Sequence, residues 1–286
     1  MAKSCVHSSF SGFQKIWLAK RSLLSLLSST LLLGLMTWPA QADEFDHSLW
    51  NQLLVENVSS DNGGRSTSVD YQGMANQRSQ LTTYLTALGK VSQKQFDGWG
   101  QEQQLAFLIN AYNAWTVELI LTEWPKLDSI RDLGSWFRSP WSKKFIPLFG
   151  NTVTLDHIEH ELIRGSGRYN NPLIHFAVNC ASIGCPALRQ EAYVGDTLDA
   201  QLDEQTRLFL SNREQNRLSG DTLAISSIFK WYREDFEKGW HGYRRLEGFF
   251  LAYSDSMALP DSAVKRLLTG DQDIEYLDYD WRLNQR

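Results

Sequence analysis

Cysteine is scarce in this chain: three in 286 residues, at positions 5, 180 and 185, which leaves room for at most one bridge. No apolar run after the first 42 residues is long enough to span a bilayer. No basic, aromatic-interleaved patch is present and the formal charge is −5, a sign that repels phosphate backbones, so nucleic acid is a poor partner. Neither an H-E-x-x-H element nor a pair of C-x-x-C elements occurs, so the common zinc signatures are missing and no cofactor is expected. Ser182 has no nucleophile elbow around it, which argues against a serine hydrolase. There is no internal repeat, and no linker rich in Pro, Gly or charge divides residues 70–286.

The first 42 residues hold Lys3, Lys15, Lys20 and Arg21 but no acid, then an apolar run from Leu23 to Met36, then Ala40-Gln41-Ala42. That order is a secretory leader with an A-x-A cleavage site. Ser25, Ser28, Ser29 and Thr30 interrupt the run and argue against a membrane anchor, and no cysteine follows it to carry a lipid. The expected mature chain starts near Asp43, periplasmic or secreted, with no stable membrane anchor. It loses four basic residues and no acidic one, so −5 becomes −9. Cys5 leaves with the leader, and Cys180 and Cys185 remain in an oxidising compartment.

Hydrophobic spacing predicts a helix-rich α+β domain around one buried helix, with a small, mainly antiparallel sheet. Residues 43–69 read as an N-terminal helix to about Asn57 followed by a loop, and 70–286 as the main domain. A second helix is predicted from Met74 to Leu88, and Ser92 has capping-box spacing to Gln95 for a short third. Gln101 to Trp124 is apolar nearly all round, the pattern of a helix at a domain centre, and Pro125 ends it. Phe145–Thr154 predicts a hairpin turning at Gly150-Asn151, and Arg217–Ile225 another turning at Gly220-Asp221. Asp156 is placed as the cap of a helix running to Arg164, and Leu173–Cys180 as a strand.

Several motifs sit on this frame. They are Phe107-Leu108-Ile109-Asn110-Ala111-Tyr112-Asn113, Leu155-Asp156-His157-Ile158-Glu159-His160 with Arg164, and His175-Phe176-Ala177-Val178-Asn179-Cys180 running to Cys185-Pro186. Trp231-Tyr232-Arg233-Glu234-Asp235-Phe236 and Tyr279-Asp280-Trp281-Arg282-Leu283-Asn284 follow. Together they resemble the domain-of-unknown-function 547 family over roughly residues 70 to 286. The resemblance marks Asn110, Tyr112, Asn113, Glu159, His160, Arg164, His175, Asn179, Cys180, Cys185 and Pro186 as recurring positions, and implies no activity. His157 falls where the family more often has Asp.

A thiol active site needs a sulfur, a base and a group that orients the base. Cys180 or Cys185 supplies the first, His160 or His175 the second, and Glu159, Asn110 or Asn113 the third. In a regular strand His175 and Cys180 face opposite ways, which favours His160 as base. Tyr112, Asn110, Asn113, Arg164 and Asn179 are candidates for holding a small-molecule or peptide substrate, and the expected chemistry is hydrolysis or acyl transfer at an amide or thioester. Two alternatives stand beside it: a noncatalytic binding or scaffold protein braced by a Cys180–Cys185 disulfide, and a metal site built on His157, His160 and Glu161.

Overall fold

The computed structural model describes residues 44–135 and 137–286; the expected leader lies outside the described residues. α1 (Ser48–Asn57) sinks Trp50, Leu53 and Leu54 into the core, with Trp50 stacked on Tyr84 at 5.9 Å. The stretch expected to be a loop is instead a hairpin, β1 (Val58–Asp61) antiparallel to β2 (Ser66–Val69). Its serines and threonines carry no apolar alternation, so the only signal was the turn, where Asn62, Gly63 and Gly64 all take positive φ. The predicted second helix divides at Gln77 into α2 (Tyr71–Asn76), capped by Asp70, and α3 (Arg78–Lys90). α4 (Gln93–Asp97) has its Ser92–Gln95 capping box.

α5 (Gln101–Leu121) is the centre of the fold, buried on every side from Gln104 to Val117. Each large apolar side chain taken from water there contributes about 2 kcal/mol, which offsets the ordering of the segments wrapped round it. β3 (Ile146–Leu148) and β4 (Asn151–Val153) form the expected hairpin, turning at Phe149 (φ 52°) and Gly150 (φ 77°). Beyond it the chain enters a helix at Leu155 that widens into a π-helix over His157–Arg164. Its cap is Thr154, whose Oγ1 accepts from the His157 N–H at 2.9 Å, and not Asp156, which lies inside the first turn with helical φ and ψ.

Leu173–Cys180 is not a strand. Pro172–Phe176 forms a 3-10 turn with Pro at its start and Asn171 Oδ1 accepting from Leu173 N at 3.0 Å, and irregular chain follows. All five residues of that turn are buried, Phe176 among Phe209, Phe229, Phe236 and Phe249. A run enclosed on all sides has no periodicity, so its apolar residues alone do not separate strand from turn.

α6 (Leu198–Ser211) leads to β5 (Arg217–Ser219) and β6 (Thr222–Ser226), the second predicted hairpin. Short helices α7 (Ile228–Trp231), α8 (Arg233–Glu237), α9 (Leu246–Ala252) and α10 (Asp261–Thr269) follow. β7 (Ile274–Leu277) then adds to β6 in parallel, so the strands form three small sheets, antiparallel except for this pair. The result is the expected helix-rich α+β class. No helix among the described residues is long and apolar enough to cross a membrane.

The tail after β7 threads back through the molecule. Gly184 N donates to Asp280 O, Ile183 N to Arg282 O, Asn284 N to Ala181 O, and Val69 N to Asn284 O. It thereby pairs with the loop between the two cysteines on one side and with β2 on the other.

Candidate functional site

A cavity of about 200 Å³ opens where the π-helix, the cysteine loop, α7 and the tail converge. One wall is the Cys180–Cys185 disulfide. The Tyr279 hydroxyl lies 3.0 Å from Cys180 Sγ and 3.1 Å from Cys185 Sγ, and burial pushes its phenol up, so it stays a hydrogen-bond donor to sulfur. The Cys180 N–H donates to Cys185 Sγ at 2.9 Å.

The loop is held from behind by asparagines. Asn113, inside α5, accepts from Asn179 N at 2.8 Å and donates to Ala177 O at 2.9 Å. Asn179 accepts from Ala181 N at 2.9 Å and donates to Pro186 O at 2.8 Å, spanning the loop and steadying Ala181 at φ 60°. Asn110 closes a two-bond clamp on the Tyr193 backbone, 2.7 and 3.0 Å. All three are buried and none is among the cavity-lining residues, so the amides weighed as substrate contacts brace backbone instead. Asn113→Ala leaves a buried carbonyl and a buried N–H without partners. It is expected to lower stability by about 3 kcal/mol, read from the urea midpoint at constant slope.

The two histidines are in different situations. His160 lines the cavity with its side chain 41 % exposed, and its Nδ1 accepts a hydrogen bond from Arg164 Nη1 at 2.9 Å. A guanidinium only donates, so this ring's lone pair is committed. No hydrogen bond joins His160 to either sulfur among the described residues; its Nε2 lies 3.9 Å from Asp156.

His175 also lines the cavity but is buried, stacked on Tyr232 at 3.9 Å, with Nε2 2.7 Å from Asp235 Oδ2. Burial pulls its pKa below the ordinary histidine value against the pull of Asp235, so the ring is neutral at pH 7. For Asp235 burial acts upward, but hydrogen bonds from His175, Arg164 and Lys238 outweigh it and hold the carboxyl well below the usual range. With Nε2–H donating to that carboxylate, the His175 Nδ1 carries a lone pair, and it finds no partner among the described residues.

Glu159 projects from the π-helix into the same space with its side chain 7 % exposed and Oε1 without a hydrogen-bond partner among the described residues. Burial first, then the Glu159 charge, pushes the phenols of Tyr112 and Tyr232 up. Arg164 lies over the Tyr232 ring at 4.8 Å and bonds Asp235, so it links the π-helix to α8 and does not line the cavity. His157 turns to Glu161 at 2.9 Å on the outer face, and no three His, Cys, Asp or Glu side chains gather as a metal site among the described residues.

Sequence reasoning thus named Cys180, Cys185, Glu159, His160, His175 and Tyr112, which all line one cavity. It missed Asp235 as the partner of His175 and Tyr279 as the donor to sulfur. Both stand in motifs that carried the family resemblance, and that was the available signal.

No curated protein and no solved structure matches the chain. Residues 96–210 match the family model described as "Protein of unknown function, DUF547". That stretch carries α4, α5, the π-helix and the cysteine loop, while Asp235 and Tyr279 lie beyond it. Over that stretch the chain is similar to the DUF547 family.

Proposed function

We propose that the protein is an exported, cysteine-dependent hydrolase or acyl transferase acting on an amide or thioester, with Cys180 as nucleophile, His175 as base and Asp235 orienting that base. The Cys180–Cys185 disulfide is its masked resting form. The observation that carries this reading is the His175 ring: Nε2 is fixed by Asp235, and a buried Nδ1 lone pair is left without a partner beside a cavity that both sulfurs line. His175 replaces His160 in the role because the His160 lone pair already accepts from Arg164. Cys180 is assigned over Cys185 because it is the less buried of the two.

A small thiol reductant first cleaves the S–S bond, leaving two protein thiols and its own oxidised form. The Cys180 thiol gives its proton to His175 Nδ1, and the sulfur attacks the acyl carbon. The leaving amine or thiol takes the proton from His175, and Cys180 carries the acyl group. Water or a second nucleophile, deprotonated by the same nitrogen, then releases it. Asp235 supports the imidazolium that forms in each half.

The test is alkylation of dithiothreitol-reduced protein by iodoacetamide, followed at Cys180 by mass spectrometry across pH. His175→Ala is expected to slow Cys180 at pH 7 by about tenfold and to move its midpoint toward the free-thiol value near 8.5. His160→Ala is expected to change the rate less than about twofold. A rate indifferent to His175 would turn the reading into its alternative, a noncatalytic binding protein. The closed disulfide and the asparagine bracing favour that alternative.

A further inference from the structure

Around the mouth of this cavity the rings form a continuous set. Trp281 stands 5.8 Å from Trp231 in stacked orientation, 4.5 Å from Tyr279 and 5.9 Å edge-on from Trp141. All four line the cavity, as does the inner Tyr232. Aromatic faces are negative at their centres and attract cations. Two of these rings already do so within the protein: the Arg131 guanidinium lies 5.3 Å from the Trp281 centroid and that of Arg164 4.8 Å from Tyr232.

Behind the rings sits Glu159, which no Lys or Arg pairs with among the described residues. Glu159 is nine-tenths buried, and its Oε1 has no hydrogen-bond donor among the described residues. His160 Nδ1 lies 3.8 Å from Oε1, and that atom is an acceptor for Arg164. Arg164 is itself engaged with Asp235, and His175 is neutral. Asp156 is the other acidic residue at the wall, so the acids there outnumber the cations. The phenols of Tyr112 and Tyr232 hydrogen-bond Glu159 but bring no charge, and Oε1 stays without a donor among the described residues, so the site gains most from a ligand that brings a positive charge.

We propose that the cavity binds an organic cation, an alkylammonium or guanidinium head group, with Glu159 as its counter-charge and Trp231, Tyr279 and Trp281 as its aromatic walls. A cavity of about 200 Å³ suits a head group with a short chain. A bare metal ion is not the occupant, since no set of three ligating side chains meets here among the described residues. The inference rests on reading this cavity as the substrate site. It then places the positive group of the substrate beside the acyl bond that Cys180 attacks.

The experiment uses the full chain in its oxidised form, where no thiol chemistry intervenes. Choline and methylguanidinium are titrated against tryptophan fluorescence and by calorimetry, alongside 3,3-dimethylbutanol, the neutral isostere of choline, and acetate. At least one cation is expected to bind saturably and about tenfold tighter than the neutral isostere, with acetate not binding. Glu159→Gln, nearly isosteric, is expected to remove that preference, and Trp281→Leu, at the partly exposed rim, to weaken the cation severalfold without changing the melting temperature. Equal affinity for cation and isostere, no saturable cation binding, or a preference unchanged by Glu159→Gln would overturn the proposal. Cation binding without His175-dependent alkylation of Cys180 would leave this inference standing and remove the enzyme reading; the reverse pattern would do the opposite.

Discussion

Asp235→Ala is expected to cost about 4 kcal/mol of folding stability, more than any other single truncation around the cavity. The carboxylate is 9 % exposed and receives Arg164 Nε at 2.5 Å, Lys238 Nζ at 2.6 Å and His175 Nε2 at 2.7 Å. Removing it strands a largely buried guanidinium and a buried imidazole N–H. Lys238 is half exposed and recovers its solvation, so it adds little to the loss. Asp235→Asn keeps an acceptor and is expected to lose roughly half as much. Urea unfolding at pH 7 reads both. The wild-type carboxyl is held below its unfolded value, so its contribution is full above about pH 4 and is lost as pH falls further. That part of the acid slope is expected to vanish in Asp235→Ala. A variant as stable as the parent would show that the three donors find other partners.

The second large effect is a loss of stability in mild acid, before carboxylates titrate. His47 is buried against Tyr84, its Nδ1 2.6 Å from the phenolic oxygen, and burial lowers its pKa to about 3. His175 is lowered in the same direction by its own burial. A histidine with a depressed folded pKa binds its proton in the unfolded chain first, so its stabilisation is complete above pH 6.5 and declines as pH falls toward the folded value. For His47 the slope approaches about 1.4 kcal/mol per pH unit, a total of about 5 kcal/mol by pH 3. Urea midpoints taken from pH 7.5 to 4 are expected to fall steadily, and His47→Gln to flatten part of the decline. A level profile to pH 4 would refute the neutral, buried state of these rings.

What could be read from the sequence follows from how local each determinant is. α5 announced itself because Leu105, Leu108, Ile109 and Tyr112 recur at helical spacing while Phe107, Ala111 and Ala114 fill the other sides. The Ser92–Gln95 box and the Gly150 and Gly220 turns are settled within four residues. The 172–180 segment is settled instead by the phenylalanines of α6, α7, α8 and α9 that enclose it, and their order along the chain leaves no period in it. The strand reading set His175 and Cys180 on opposite faces by alternation, whereas in the irregular chain both line the same cavity. The His175–Asp235 bond spans 60 residues and Tyr279 reaches Cys180 across 99, distances over which spacing carries no information.

The threaded tail also sets an order of events during synthesis. The Val69 N–H waits for a carbonyl made 215 positions later, and the loop at Ala181 waits about a hundred. A growing chain that has released β2, α5 and both cysteines from the ribosome still has no Tyr279 against its sulfurs and no Trp281 at its mouth. Such long-range closure comes late. The lining of the pocket is therefore complete only once the tail has been made and has docked.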